Sequence, residues 1–155
     1  MKLLQTLLRT DSSPGLLVAR LSLGLVILPH GLQKTVGWFG GYGFTGTMQF
    51  FTETMGIPWP LALAAVLAES IGALLLILGA LTRVSALTIG VVMAVAMTTS
   101  HLQHGFFMNW FGNQAGEGFE YFLLAIGLAA ALVLAGGGAL SLDGLLRRRV
   151  EARRA

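Results

Sequence analysis

The sequence predicts an all-α integral membrane protein, a four-helix bundle with both termini cytoplasmic and short interfacial helices at its two ends. Three observations carry that expectation. Of 155 residues, 55% are hydrophobic and 11% charged, against roughly a quarter charged in an ordinary soluble domain. Four apolar stretches, at about 15–36, 60–81, 84–101 and 119–136, approach the ~20 residues that cross ~30 Å of hydrocarbon at ~1.5 Å per residue. The basic residues gather on one side of those stretches. A small soluble globule leaves too much surface exposed to hide this much apolar side chain. The length suits a single domain, 1–155.

The first span follows Lys2 and Arg9, a basic start that a signal peptide would share. Arg20 interrupts its apolar core, and His30, Gly31 and Lys34 follow where a cleavage site would need small residues, so the span is retained. Pro29 cannot donate to the carbonyl of Leu25 and is expected to kink the helix. At helical spacing Arg20, Gly24, His30, Gly31 and Lys34 share a sector of roughly 120°. One reading makes this sector part of a site. The other leaves His30 and Lys34 near the interface, with Lys34 snorkelling outward.

The second span is broken only by Glu69 and Ser70. Glu69 shares a stripe with Ala62, Ala65 and Gly72, small residues that let helices approach, so it faces a neighbour. Ionisable groups inside a bilayer are expensive and count as functional hypotheses. Arg20 and Glu69 enter their spans from opposite sides, and their Cα levels differ by ~7 Å, within an arginine's reach. A buried Arg20–Glu69 ion pair is therefore expected, either as a clasp of helix register or as a proton- or substrate-handling pair.

Thr82 and Arg83 allow only a tight antiparallel hairpin before the third span. The third and fourth spans are short and draw on flanking residues such as Ser100, His101 and Tyr121. The two remaining connections mix glycine with aromatics: Trp38, Phe39, Phe44, Phe50 and Phe51 in one, Phe106, Phe107, Trp110 and Phe111 in the other. Such loops fit an aromatic interfacial belt, or a pair of lids over an external pocket.

Charge sets the orientation. Lys2 and Arg9 precede the first span, Arg83 joins the second to the third, and Arg147, Arg148, Arg149, Arg153 and Arg154 follow the fourth. The positive-inside rule then places both termini and the Arg83 turn in the cytoplasm. Leu3, Leu4, Leu7 and Leu8 form an apolar stripe at one end; Leu142, Leu145, Leu146 and Val150 form another in the basic tail, 141–155. Ser141 caps that tail helix and Asp143 favours its positive dipole end. A basic amphipathic helix on the anionic membrane surface results. The net charge of +3 is thus a topology and headgroup signal, and nucleic acid is not a partner. The absence of cysteine excludes disulfides, thiol exchange with quinones, iron–sulfur clusters and covalently attached haem.

His30, Lys34, His101, Glu120 and Tyr121 fall at similar depth and are the candidates for one outward-facing cavity, with His104 and Glu117 wetter. A neutral histidine can bond a quinone carbonyl, and a carboxylate can relay the accompanying proton. His101 and His104 lack the spacing of a metal site, so no metal is assigned. Nothing demands haem b.

The runs Ala19-Arg20-Leu21-Ser22-Leu23-Gly24, Pro29-His30-Gly31-Leu32-Gln33-Lys34 and Gly37-Trp38-Phe39-Gly40-Gly41 resemble the opening of DoxX-family membrane proteins. Ala68-Glu69-Ser70-Ile71-Gly72, Leu78-Gly79-Ala80-Leu81-Thr82-Arg83, Gly105-Phe106-Phe107, Glu120-Tyr121 and Ser141-Leu142-Asp143 extend the resemblance over nearly the whole chain. It implies a small four-helix bundle of the bacterial cytoplasmic membrane, and a redox role as a membrane subunit or quinone-interacting component of an oxidoreductase system. The implied partners are the lipid bilayer and an oxidoreductase subunit. The alternative is a non-enzymatic scaffold or small transporter clasped by Arg20 and Glu69, although no internal repeat marks a transporter. The stripe Ala86, Gly90, Ala94 suits contacts within one bundle or between copies in a homo-oligomer.

Overall fold

The computed structural model describes residues 6–152, and among them the regular elements are helices, with no strand. Leu3 and Leu4 of the first amphipathic stripe, with Lys2, Arg153 and Arg154, lie outside the described residues. The main helices are α1 (Pro14–Thr35), α2 (Gly43–Gln49), α3 (Trp59–Leu78), α4 (Thr82–His104), α5 (Glu120–Ala135) and α6 (Leu142–Ala152). Three of them, α1, α3 and α4, are long and apolar enough to cross a membrane, and α5 is a shorter apolar helix.

Local chemistry accounts for the helix ends. Pro14 opens α1, where its missing N–H has no partner to lose and its fixed φ suits the helix. The helix continues through Pro29 without interruption. Helix α3 stops at Leu78, before the apolar stretch ends, because Gly79 takes a left-handed conformation at φ 68°. The Gly79 N–H then bonds the Leu76 carbonyl and the Ala80 N–H bonds that of Leu75, a Schellman closure. Helix α4 consequently begins at Thr82, so Arg83 lies in its first turn rather than in the hairpin. The expected Ser141 cap forms: its Oγ accepts from the Gly144 N–H at 3.2 Å.

Small residues let the helices touch. A Cβ on Gly24 would meet Ile77 at 2.8 Å, and one on Gly31 would overlap the Glu69 backbone. These contacts set α1 antiparallel to α3, with 24 opposite 73–77 and 31 opposite 69–70. A Cβ on Gly90 of α4 would come within 3.2 Å of Ala129 of α5, and Ala86 is fully buried, so this part of the stripe serves contacts within the chain. Leu23, Ile27, Leu76, Ile89, Phe122 and Leu132 fill the core between these helices. Only 28%, 39% and 22% of the most apolar windows of α1, α3 and α4 are buried. Most of their apolar surface faces outward, as expected of helices solvated by lipid.

One end of the molecule carries both the 6–13 segment and α6, and it is tied by charge. Arg20, 1% exposed, donates to the carbonyls of Gly137 (2.9 Å), Leu76 (2.9 Å), Ile77 (2.5 Å) and Ala139 (3.3 Å). Arg83 donates to Val133, Leu134 and Arg9 carbonyls, meeting the orphan acceptors at the end of α5. Asp143 accepts from the N–H groups of Leu81 and Thr82, both at 2.8 Å. It therefore caps α4 from another helix, beyond the dipole role expected of it in α6.

Candidate functional site

The polar centre lies toward the other end of α1, against the middle of α3. Lys34 Nζ meets Glu69 Oε2 at 2.5 Å, with Lys34 23% and Glu69 6% exposed at the side chain. The same ammonium lies 3.5 Å from the His30 carbonyl. Glu69 belongs to a π turn, Ala68–Gly72, inside α3, the kind of one-residue distortion that re-aims side chains at functional sites. Ser70 in that turn donates to the Val66 carbonyl at 2.6 Å.

The expected Arg20–Glu69 pair does not form. Side chains on a helix lean toward its own N-terminus, and α1 and α3 run antiparallel. Arg20 therefore leans toward the end that carries the 6–13 segment and α6, while Glu69 leans the opposite way. Lys34, two turns beyond the Ile27 level on α1, leans back and meets Glu69 between the helices. Its ammonium turns inward rather than snorkelling out. Comparing Cα levels alone missed this, because the lean separates one pair and closes the other.

Tyr121, in the first turn of α5, is the third member. Its hydroxyl is buried with no hydrogen-bond partner, and the Glu69 carboxylate is within electrostatic reach. An unsatisfied buried hydroxyl costs about 1–3 kcal/mol, so such a group calls for an explanation. The Tyr121 ring stands edge-on to Phe122 at 5.3 Å, and the His101 ring lies 4.3 Å from Phe122 at a tilt.

The other candidates do not join this centre. His30 presents its side chain to the surface. His101 lies in a second π turn, Met97–His101, and its Nδ1 bonds the Glu117 carbonyl at 2.9 Å. Glu120 accepts from the Met108 N–H at 2.9 Å and from Trp110 Nε1 at 3.3 Å, so it fastens the aromatic loop. Glu117 does the same through the Asn109 N–H at 2.7 Å. Trp110 and Phe111 of that loop are largely exposed, as are Trp38, Phe39 and Tyr42 of the first. Among the described residues, no three His, Asp or Glu side chains converge on a metal position. A cavity of about 590 Å³ opens at the other end, lined by Thr10, Ser12, Ser141, Arg147, Arg148 and Glu151 among others, and none of the candidates borders it.

Chemically, the centre offers a carboxylate held beside an ammonium and a phenol free to donate or accept, within an apolar helix packing.

The DoxX family model matches residues 15–102, which covers α1 to α4 and includes Arg20, Lys34 and Glu69. The chain is 31% identical to the inner membrane protein YphA of Escherichia coli over 83% of this chain and 87% of that one. It is 32% identical to the inner membrane protein YqjF of the same organism, over 87% and 94%. Bacillus subtilis CatD, whose name places it provisionally among oxidoreductases, is 30% identical over 83% and 84%. No solved structure matches.

Proposed function

We propose that this chain, which belongs to the DoxX family, is a four-span inner-membrane component of an oxidoreductase system, both termini cytoplasmic, with a quinone-headgroup site at Lys34, Glu69 and Tyr121. The single observation that carries the reading is the Tyr121 hydroxyl, buried without a partner among the described residues and near enough to the Glu69 of the Lys34–Glu69 pair to feel its charge. The names of the E. coli relatives support the inner membrane, and that of CatD supports redox chemistry. Arg9, Arg83 and the tail arginines at one end support the cytoplasmic orientation.

The residues fit the ligand. A quinone offers carbonyl oxygens and a flat apolar ring, and in that site it supplies the redox chemistry, taking two electrons from a partner subunit and two protons. The Tyr121 O–H donates to a ligand oxygen and so satisfies a buried hydroxyl that has no partner among the described residues; Thr82 Oγ1, the other such atom, lies at the start of α4 away from this site. Glu69 passes a proton between the site and its surroundings. Lys34 balances the carboxylate charge, which the apolar packing would otherwise disfavour. Phe122, in contact with His101, walls the tyrosine side, while Glu120 holds the aromatic loop.

Native mass spectrometry of the protein extracted from membranes tests this. Quinone should be retained, alone or with a partner subunit, and lost on Tyr121→Phe. No quinone with either the isolated or the partner-reconstituted protein would remove the reading. The tight Lys34–Glu69 contact also favours a second reading, a non-enzymatic scaffold in which the pair only locks helices. In that case Glu69→Gln impairs assembly without a selective redox defect, and a well-folded but inactive variant would exclude it.

A further inference from the structure

Helix α6 is amphipathic, yet it meets the rest of the protein through its polar side. Asp143, 2% exposed, bonds the start of α4. Arg147 donates to the Thr10 carbonyl at 3.1 Å and to Glu151 at 2.8 Å, and Arg148 reaches Ser12 at 3.3 Å. Leu142, Leu145 and Leu146 are 42%, 46% and 46% exposed. At helical spacing they share a sector of roughly 100° turned away from Asp143. Arg149 falls inside that sector and is exposed. A helix packed in water would place its leucines inward, so this outward stripe requires a cover that the described residues do not supply.

We propose that the cover is the phospholipid surface, with the leucine stripe of α6 immersed at the acyl boundary and Arg148 and Arg149 on anionic headgroup phosphates. Position argues for lipid. Asp143 holds α6 against the first turn of α4, and its N–H bonds the Gly79 carbonyl just past the end of α3. The helix is thus fixed at the level where two long apolar helices terminate, which is where a bilayer interface begins. Leu134 near the end of α5, 79% exposed, and Leu140, 88% exposed, carry the outward apolar surface from α5 on to α6. Charge argues for anionic lipid. Glu151 neutralises Arg147, which leaves Arg148 and Arg149 flanking the leucines as net cations, the pattern of helices that lie in an anionic interface. This goes beyond the general expectation of a basic tail, because it fixes which face enters the lipid and which face binds the protein.

The lack of cysteine makes single-cysteine labelling unambiguous. Leu145→Cys, Leu146→Cys and, on the polar side, Glu151→Cys would each carry an environment-sensitive fluorophore in the full chain. The chain would be reconstituted at low density in phosphatidylcholine vesicles with or without phosphatidylglycerol. Unfolding temperatures of the labelled variants check the fold. A lipid-borne quencher should act severalfold more strongly at 145 and 146 than at 151 in the anionic vesicles. Most of that difference should disappear in pure phosphatidylcholine, or with Arg148→Gln and Arg149→Gln combined. Equal access of aqueous iodide to all three positions would overturn the proposal. So would shielding from both quenchers, which would mean that a second copy or another protein covers the stripe, or immersion insensitive to lipid charge.

Discussion

Lys34 and Glu69 meet because two glycines, 24 and 31, bring α1 against α3 at a register where one side chain leans back and the other forward. Removing one member leaves the other charge in an apolar setting. A fully buried charge stranded this way costs about 3–5 kcal/mol, and the partial exposure of Lys34 lowers that to about 2–3 kcal/mol for Glu69→Gln. Thermal unfolding in detergent should read that loss, and Lys34→Met combined with Glu69→Gln should recover much of it. Tyr121→Phe runs the other way. It deletes a buried hydroxyl that has no partner, so stability should hold or rise by up to about 1 kcal/mol. A purely structural role for Tyr121 would leave no reason to keep that hydroxyl.

At the scale of elements, the helix contacts depend on residues that a single methyl group would upset. Gly31→Ala forces a Cβ into the Glu69 backbone, so α1 and α3 must separate, at a cost of about 1–3 kcal/mol. Gly127→Ala in α5 is the matched control. A Cβ there meets nothing within 4 Å, and the change should be neutral or stabilising by about 0.5–1 kcal/mol through helix propensity. Unfolding temperatures of the two variants should therefore move in opposite directions. Asp143→Ala strips two N–H bonds from the start of α4 and should cost about 2–3 kcal/mol, with Asp143→Asn intermediate. If Gly31→Ala and Asp143→Ala both melted with the parent, the helix contacts described at the two ends of the molecule would be wrong.

For the whole molecule, the apolar helices were legible because hydropathy sets their length: the stretch at 15–36 is realised as Pro14–Thr35, and that at 119–136 as Glu120–Ala135. The ends of α3 and α4 were less legible, since Ala80 and Leu81 continue the apolar run past the residue, Gly79, whose backbone ends the helix. The Ser141 cap is local and could be read directly. Asp143 bonding residues 61 and 62 positions away has no local signature. The polar centre was half legible. Cost singled out Arg20 and Glu69, and expected depth Lys34 and Tyr121, but their partners depend on helix register and side-chain lean. The π turn that carries Glu69 left no mark in composition, and Glu120 looked like a site residue until the aromatic loop folded onto it.

The central claim is that the Lys34–Glu69–Tyr121 centre receives a ligand rather than merely joining helices. Titration of a short-chain quinone into the full chain in lipid nanodiscs, with its partner subunit where one co-purifies, tests it most directly. Tyr121→Phe and Gly127→Ala would be compared with the parent. Loss of one hydrogen bond predicts roughly tenfold weaker binding for Tyr121→Phe, unchanged binding for Gly127→Ala, and intact folding in both. Saturable binding that ignores Tyr121→Phe, or no binding to any of the three, would contradict the account.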